Sequence, residues 1–182
     1  MGNYVTKKSE MNFKSIDSLD QVQKVISEAD TALNDKSKTI KDSAMSEVLG
    51  GALGAGVGGA IGFAALYAGG SVVGLSAAGI TSGLAAAGGI VGGGMAAGVA
   101  VLAAPAVLLA AGGVGIVAHN KNKKLREAKE LCYKNAVAKQ NAIIKAMQEE
   151  AKADKDRIDY LTGLNNLLTA AIKDLKHDLG YS

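Results

Sequence analysis

Between Glu47 and Lys121 the chain has no lysine, arginine, aspartate or glutamate. It also has one cysteine, one proline, no tryptophan and only seven aromatic residues in 182. A lone cysteine, Cys132, excludes an intramolecular disulfide and a cysteine-rich metal site. With no other redox feature nearby, Cys132 reads as a small, half-buried helical residue. The scarcity of proline and aromatics removes the turn signals and the aromatic or β-branched alternation of a β protein. The expected fold class is all-α. Residues 1–47 are polar throughout and hold no apolar signal-peptide core, so the flanks are expected in the cytosol.

Catalytic groupings are missing as well. His119 and His177 each lack a second histidine or a cysteine at metal spacing. Glu149-Glu150 with Asp154, Asp156 and Asp159 reads as the solvated face of a helix. No Gly-Lys-Ser or Gly-Lys-Thr follows the glycines, as a nucleotide loop requires. The expectation is a non-enzyme with no catalytic residue, cofactor, metal or small-molecule substrate. Nucleic acid is not an expected partner either, because the basic residues are diluted by acids and have no aromatic stacking partners.

What is there is a stretch from Val48 to Ala118 with 21 of the chain's 24 glycines and only 24 Val, Leu, Ile, Met or Phe among 71 residues. About 20 apolar residues cross a bilayer, so its length suffices for two spans or three. Its insertion energy is modest, since each large aliphatic residue contributes only about −0.3 to −0.6 kcal/mol at a helix centre. The composition describes a segment that enters a bilayer without being committed to it at synthesis. Val48 to Ala68 is the best span, Val72 to Ala87 fits a buried or re-entrant helix, and Ile90 to Ala118 carries a kink at Pro105. Two crossings would leave both flanks on one side; three would separate them.

Three segments follow: 1–47 as an amphipathic polar helix, 48–118 as the glycine and alanine-rich membrane region, and 119–182 as a charged, coiled-coil-like region. In the first, Ile16, Leu19, Val22, Ile26, Ala29 and Leu33 share a helical face. Ser15 or Ser18 can cap that helix, with Gln21 completing a capping box, and Ile40, Ala44 and Val48 extend the spacing into the first span. In the last segment, Leu125, Ala128, Cys132 and Asn135 form a weak stripe and Val137, Ile144 and Ala151 another. From there Ile158, Leu161, Leu168, Ile172, Leu175 and Leu179 keep a seven-residue rhythm that ends at Gly180. That face needs a partner, and the N-terminal helix of the same chain or of a second copy is the cheapest.

Gly50, Gly54, Gly58 and Gly62 lie four apart and would form a groove on one helix face, a glycine zipper. Gly79 with Gly83 and Gly94 with Gly98 repeat the interval. Such grooves serve packing within a chain or between copies, so a homo-oligomer is among the expected states. Lys121, Lys123, Lys124 and Arg126 follow the stretch at once and form the expected membrane-surface anchor. Met1-Gly2-Asn3-Tyr4-Val5-Thr6 fits the N-myristoylation pattern where a transferase is present.

The run Gly74-Leu75-Ser76-Ala77-Ala78-Gly79-Ile80-Thr81-Ser82-Gly83, continuing through Gly92-Gly93-Gly94-Met95-Ala96-Ala97-Gly98-Val99, resembles the interferon-induced 6-16 family over about residues 50–118. That resemblance implies organelle membranes, antiviral defence and effects on membrane integrity or cell death, with no enzymatic activity. Those short proteins generally lack charged helical flanks. The flanks of this chain look more like those of bacterial membrane effectors such as pore-forming toxins. The resulting expectation is a membrane-inserting, self-associating protein that perturbs a bilayer, with membrane lipids as partners and a soluble state before insertion. The alternative is a membrane anchor or scaffold whose cytosolic helices recruit a partner.

Overall fold

The computed structural model describes residues 4–55, 61–68 and 121–181, and these are helical with no strand among them. Five α-helices follow in order: α1 (Asp20–Asn34), α2 (Ser46–Ala55), α3 (Phe63–Ala68), α4 (Lys121–Glu149) and α5 (Lys155–Leu179). Single 3-10 turns at Asp17–Leu19 and Ile40–Asp42 precede α1 and α2.

α5 is the axis of the bundle, about 37 Å long at 1.5 Å per residue. The Asp154 carboxylate accepts the Arg157 N–H at 2.9 Å and starts the helix. Gly180, at φ 67°, closes it: the Gly180 N–H donates to the His177 carbonyl and the Tyr181 N–H to the Lys176 carbonyl. α5 packs on α1, α2, α3 and α4. Consequently Leu161, Leu164, Leu167, Leu168, Ile172, Leu175 and Leu179 are all buried, each contributing about 1.5–3 kcal/mol by leaving water. Of the seven-residue rhythm only Ile158 is half-buried.

The partner of that rhythm lies within the chain. Its main contact is α4, which folds back antiparallel through residues 150–154, with α1 and α2 completing the enclosure. α4 contributes Leu125, Ala128, Cys132, Ala136 and Ile143, so the stripe that begins with Leu125 turns inward at Ala136 rather than at half-buried Asn135. Val137 and Ile144 are half-buried and Ala151 is exposed.

Local turn chemistry departs from the reading of the N-terminal segment. Ser15 and Ser18 hold each other through reciprocal side-chain to backbone bonds, and α1 starts at Asp20 with no side-chain cap. The reciprocal pair is therefore Ser15 with Ser18, in place of the expected box of Ser18 with Gln21. The helix does not continue toward Val48 either. The Asp35 carboxylate accepts from the Ser37 N–H and hydroxyl, and the Asp42 carboxylate from the Thr39 N–H and hydroxyl. These side chains satisfy the backbone outside a helix and turn the chain back.

The expected span Val48 to Ala68 is divided. α2 ends at Ala55, residues 56–60 lie outside the described residues, and Ile61 and Gly62 are non-helical before α3 begins. No helix among the described residues is long and apolar enough to cross a membrane. Leu49, Ala52, Phe63 and Leu66 are instead buried in the core. An aliphatic surface was already available on α5, and α2 runs parallel along it. The Asn166 side-chain amide donates to the Ala52 carbonyl at 2.9 Å, occupying an acceptor that the end of α2 leaves open.

The four-residue glycine ladder is divided with it. Gly50 and Gly54 are exposed, Gly58 lies outside the described residues, and Gly62 faces a carboxylate of α5. The close helix approach is made by Gly163 of α5, where an added Cβ would stand 3.1 Å from the Leu49 carbonyl oxygen. Gly163→Val should therefore destabilise the protein by about 1–3 kcal/mol by forcing α2 off α5. Gly50→Ala, which meets nothing within 4 Å, should stabilise it by about 0.5–1 kcal/mol. Urea denaturation followed by circular dichroism measures both.

Candidate functional site

The charge-free stretch leaves the described structure at Ala68 and returns at Lys121. Both attachments converge on one end of α5, at Asp174 and Asp178. Four residues apart, these two carboxylates lie on one helix face.

Asp174 holds the outgoing side. Its Oδ2 accepts the Phe63 N–H at 2.7 Å, which fixes the first residue of α3, and an added Cβ on Gly62 would stand 3.1 Å from the same oxygen. The Phe63 ring lies between Phe13, with centroids 6.0 Å apart, and Tyr67, at 5.6 Å. α3 spans only about 9 Å, so the exit at Ala68 stays close to this end of α5.

Asp178 holds the returning side and the N-terminal segment. Its side chain is fully buried, as is that of Lys129 of α4, whose Nζ lies 2.8 Å from Asp178 Oδ2. The contact is one of charge and distance rather than a well-directed hydrogen bond. The directed bonds come from the N-terminal segment, with the Asn12 N–H to Oδ1 at 2.8 Å and the Phe13 N–H to Oδ2 at 2.9 Å. The Val5 N–H adds a bond to the Asp178 carbonyl. Tyr4 lies against the same place, its ring 5.2 Å from the Arg126 guanidinium and 5.7 Å from Lys129 Nζ. Lys121 opens α4 about 12 Å before Lys129, so the stretch returns at the end from which it left.

The two carboxylates titrate in opposite directions. Burial raises the Asp174 carboxyl, and the single Phe63 N–H and nearby Lys173 do not offset it. Burial also pushes the Asp178 carboxyl up, but Lys129 and the Asn12 and Phe13 N–H groups outweigh it and hold Asp178 below the usual range.

At the other end of the bundle, Arg157 uses all five N–H donors. They go to the carbonyls of Ala32, Asp35 and Lys38 and to both carboxylate oxygens of Glu150. Beside it, Glu28 accepts from the Tyr160 and Ser43 hydroxyls and pairs with Lys38 at 3.0 Å. These groups are committed to holding the 35–45 turn on α5. Burial pushes the Cys132 thiol up to about 11, far from a reactive thiolate.

Of the anticipated surface residues, Lys123 and Lys124 are exposed, Lys123 lies 3.9 Å from Glu127, and Arg126 pairs with Glu130 at 3.0 Å. The side chain of Lys121 and residues Gly79, Gly83, Gly94 and Gly98 lie outside what the structure describes. His177 is exposed, with Nδ1 3.4 Å from Asp178 Oδ1. The sequence reading missed Asp174 and Asp178. The available signal was that Asp174 and Asp178 each directly precede a leucine of the apolar rhythm, Leu175 and Leu179, and lie four residues apart.

Comparisons bring no family name to this site: no family model matches the chain, and neither a curated protein nor a solved structure matches it significantly.

Lys129→Met should cost about 3–5 kcal/mol by leaving Asp178 buried without its counter-charge. Adding Asp178→Asn to it should recover part of that loss, as chemical denaturation would show. The pH dependence separates the two acids. Asp178 contributes stability that is present above the unfolded carboxylate value of about 3.9 and is lost as pH falls through its lower folded value. Asp174 binds its proton more tightly when folded, so its effect has the opposite sign. Between pH 7 and 4.5 the wild type should gain stability relative to Asp174→Asn as pH falls, and urea titrations at each pH measure the difference.

Proposed function

We propose that this chain is a membrane-inserting, self-associating helical protein that perturbs or permeabilises a bilayer, in defence or cell killing. One observation carries the reading: residues 69–118 contain no charge, and both of their attachments are fixed to one end of a bundle stitched by buried polar contacts. In water a stretch of that composition has no charged face to present, and its ends are pinned together as a hairpin requires.

A single folded body at both ends keeps those ends on one side of a bilayer, which favours an even number of crossings. Two spans of about 20 residues with a short turn between them account for the length. The amphipathic faces of the flanks are used inside the bundle, so copies would associate through the small-residue stretch, where Gly79, Gly83, Gly94 and Gly98 keep the zipper interval. The same closed bundle also favours the second reading, an anchor that holds a stable helical domain at a membrane.

Dye release from loaded vesicles discriminates between them. The permeabilising reading predicts leakage by the wild type and several-fold less leakage by Gly79→Leu and Gly94→Leu, with denaturation of the bundle unchanged. Firm membrane association without leakage establishes the anchor. An absence of association and leakage together contradicts both.

A further inference from the structure

Charge is distributed unevenly along the bundle. The segments 4–14, 121–130 and 173–181, which meet at the Asp174 and Asp178 end, carry ten Lys and Arg against five Asp and Glu. The rest of the chain carries ten against twelve. Two of the five acids, Asp174 and Asp178, are buried and bonded inward. The other three, Glu10, Glu127 and Glu130, are paired with Lys7, Lys123 and Arg126. Lys8, Lys14, Lys124 and Lys173 are exposed and pair with no acid among the described residues. They come from three separate segments that only the fold gathers.

We propose that this end of the bundle is a docking surface for an anionic bilayer, with Lys8, Lys14, Lys124 and Lys173 on the headgroups. The proposal rests on the membrane reading above and deepens it by naming the face and the lipid charge. Two independent features coincide here: the unpaired basic residues, and the exit and return of the uncharged stretch. An acidic partner protein would match the charge but has no use for the second feature. The net negative remainder of the bundle is repelled by the same surface, so the field orients the molecule before any apolar residue enters lipid.

The test is co-sedimentation of the full-length protein with vesicles of phosphatidylcholine alone, or of phosphatidylcholine and phosphatidylglycerol at seven to three, in low and high salt. A lysine at an anionic surface strengthens partitioning about fivefold, so Lys8→Gln, Lys124→Gln and Lys173→Gln together should weaken binding to the anionic vesicles by about 100-fold. The control Lys24→Gln, Lys36→Gln and Lys152→Gln changes net charge equally at exposed positions elsewhere and should leave binding within about twofold. All six positions are exposed, so both triple variants should keep the wild-type helix content, which circular dichroism checks. Equal losses in the two variants, or binding indifferent to phosphatidylglycerol, overturns the docking surface even where dye release persists. Pole-specific binding without dye release supports the surface and counts against permeabilisation alone.

Discussion

The buried ion pair between Lys129 and Asp178 is the contact on which the rest of the arrangement depends. Two fully buried charges are costly to remove from water, and their attraction repays that cost only when the remaining bonding capacity is filled. The Asn12 and Phe13 N–H groups fill it on Asp178. In doing so they bind the N-terminal segment, α4 and α5 into one junction. Asp174, one turn earlier, adds α3. The junction thus determines where a stretch with no charge of its own is held.

The same end of α5 serves stability and placement together. Arg157 and Glu28 at the opposite end close the turns between α1 and α2 and between α4 and α5, where the chain is charged and reverses in water. The Asp174 and Asp178 end closes nothing by itself. It gathers four chain segments and releases the uncharged stretch from their midst. Three of those segments, 4–14, 121–130 and 173–181, carry exposed lysines. The two buried polar junctions thus stand at opposite ends of one helix about 37 Å long.

Much of this was legible from residue types. The seven-residue rhythm from Leu161 to Leu179 marked the buried helix, and Gly180 marked its end. The absence of β signals gave the helical class. What was not legible depends on contacts remote in sequence. Val48 to Ala68 reads as a span because hydropathy does not distinguish lipid from the apolar side of α5, and Leu49, Ala52, Phe63 and Leu66 found the latter. Gly62 fits the zipper interval equally well, but a carboxylate 112 positions later decided its surroundings. Asp174 and Asp178 looked like ordinary surface acids because their partners, Phe63, Phe13 and Lys129, are dispersed along the chain. Cys132 also read almost as it stands, a small helical residue, though fully rather than half buried.

The central claim is that the bundle stays on one side of a bilayer while residues 69–118 enter from its basic end and return. Membrane-impermeant maleimide labelling of vesicle-bound protein tests it most directly, using single cysteines in a Cys132→Ala background. Lys36→Cys, before the stretch, and Lys152→Cys, after it, should both label from outside, whereas Gly93→Cys, near its middle, should label only after the vesicles are opened. Protection of either Lys36→Cys or Lys152→Cys alone, or full outside labelling of Gly93→Cys, would contradict the account.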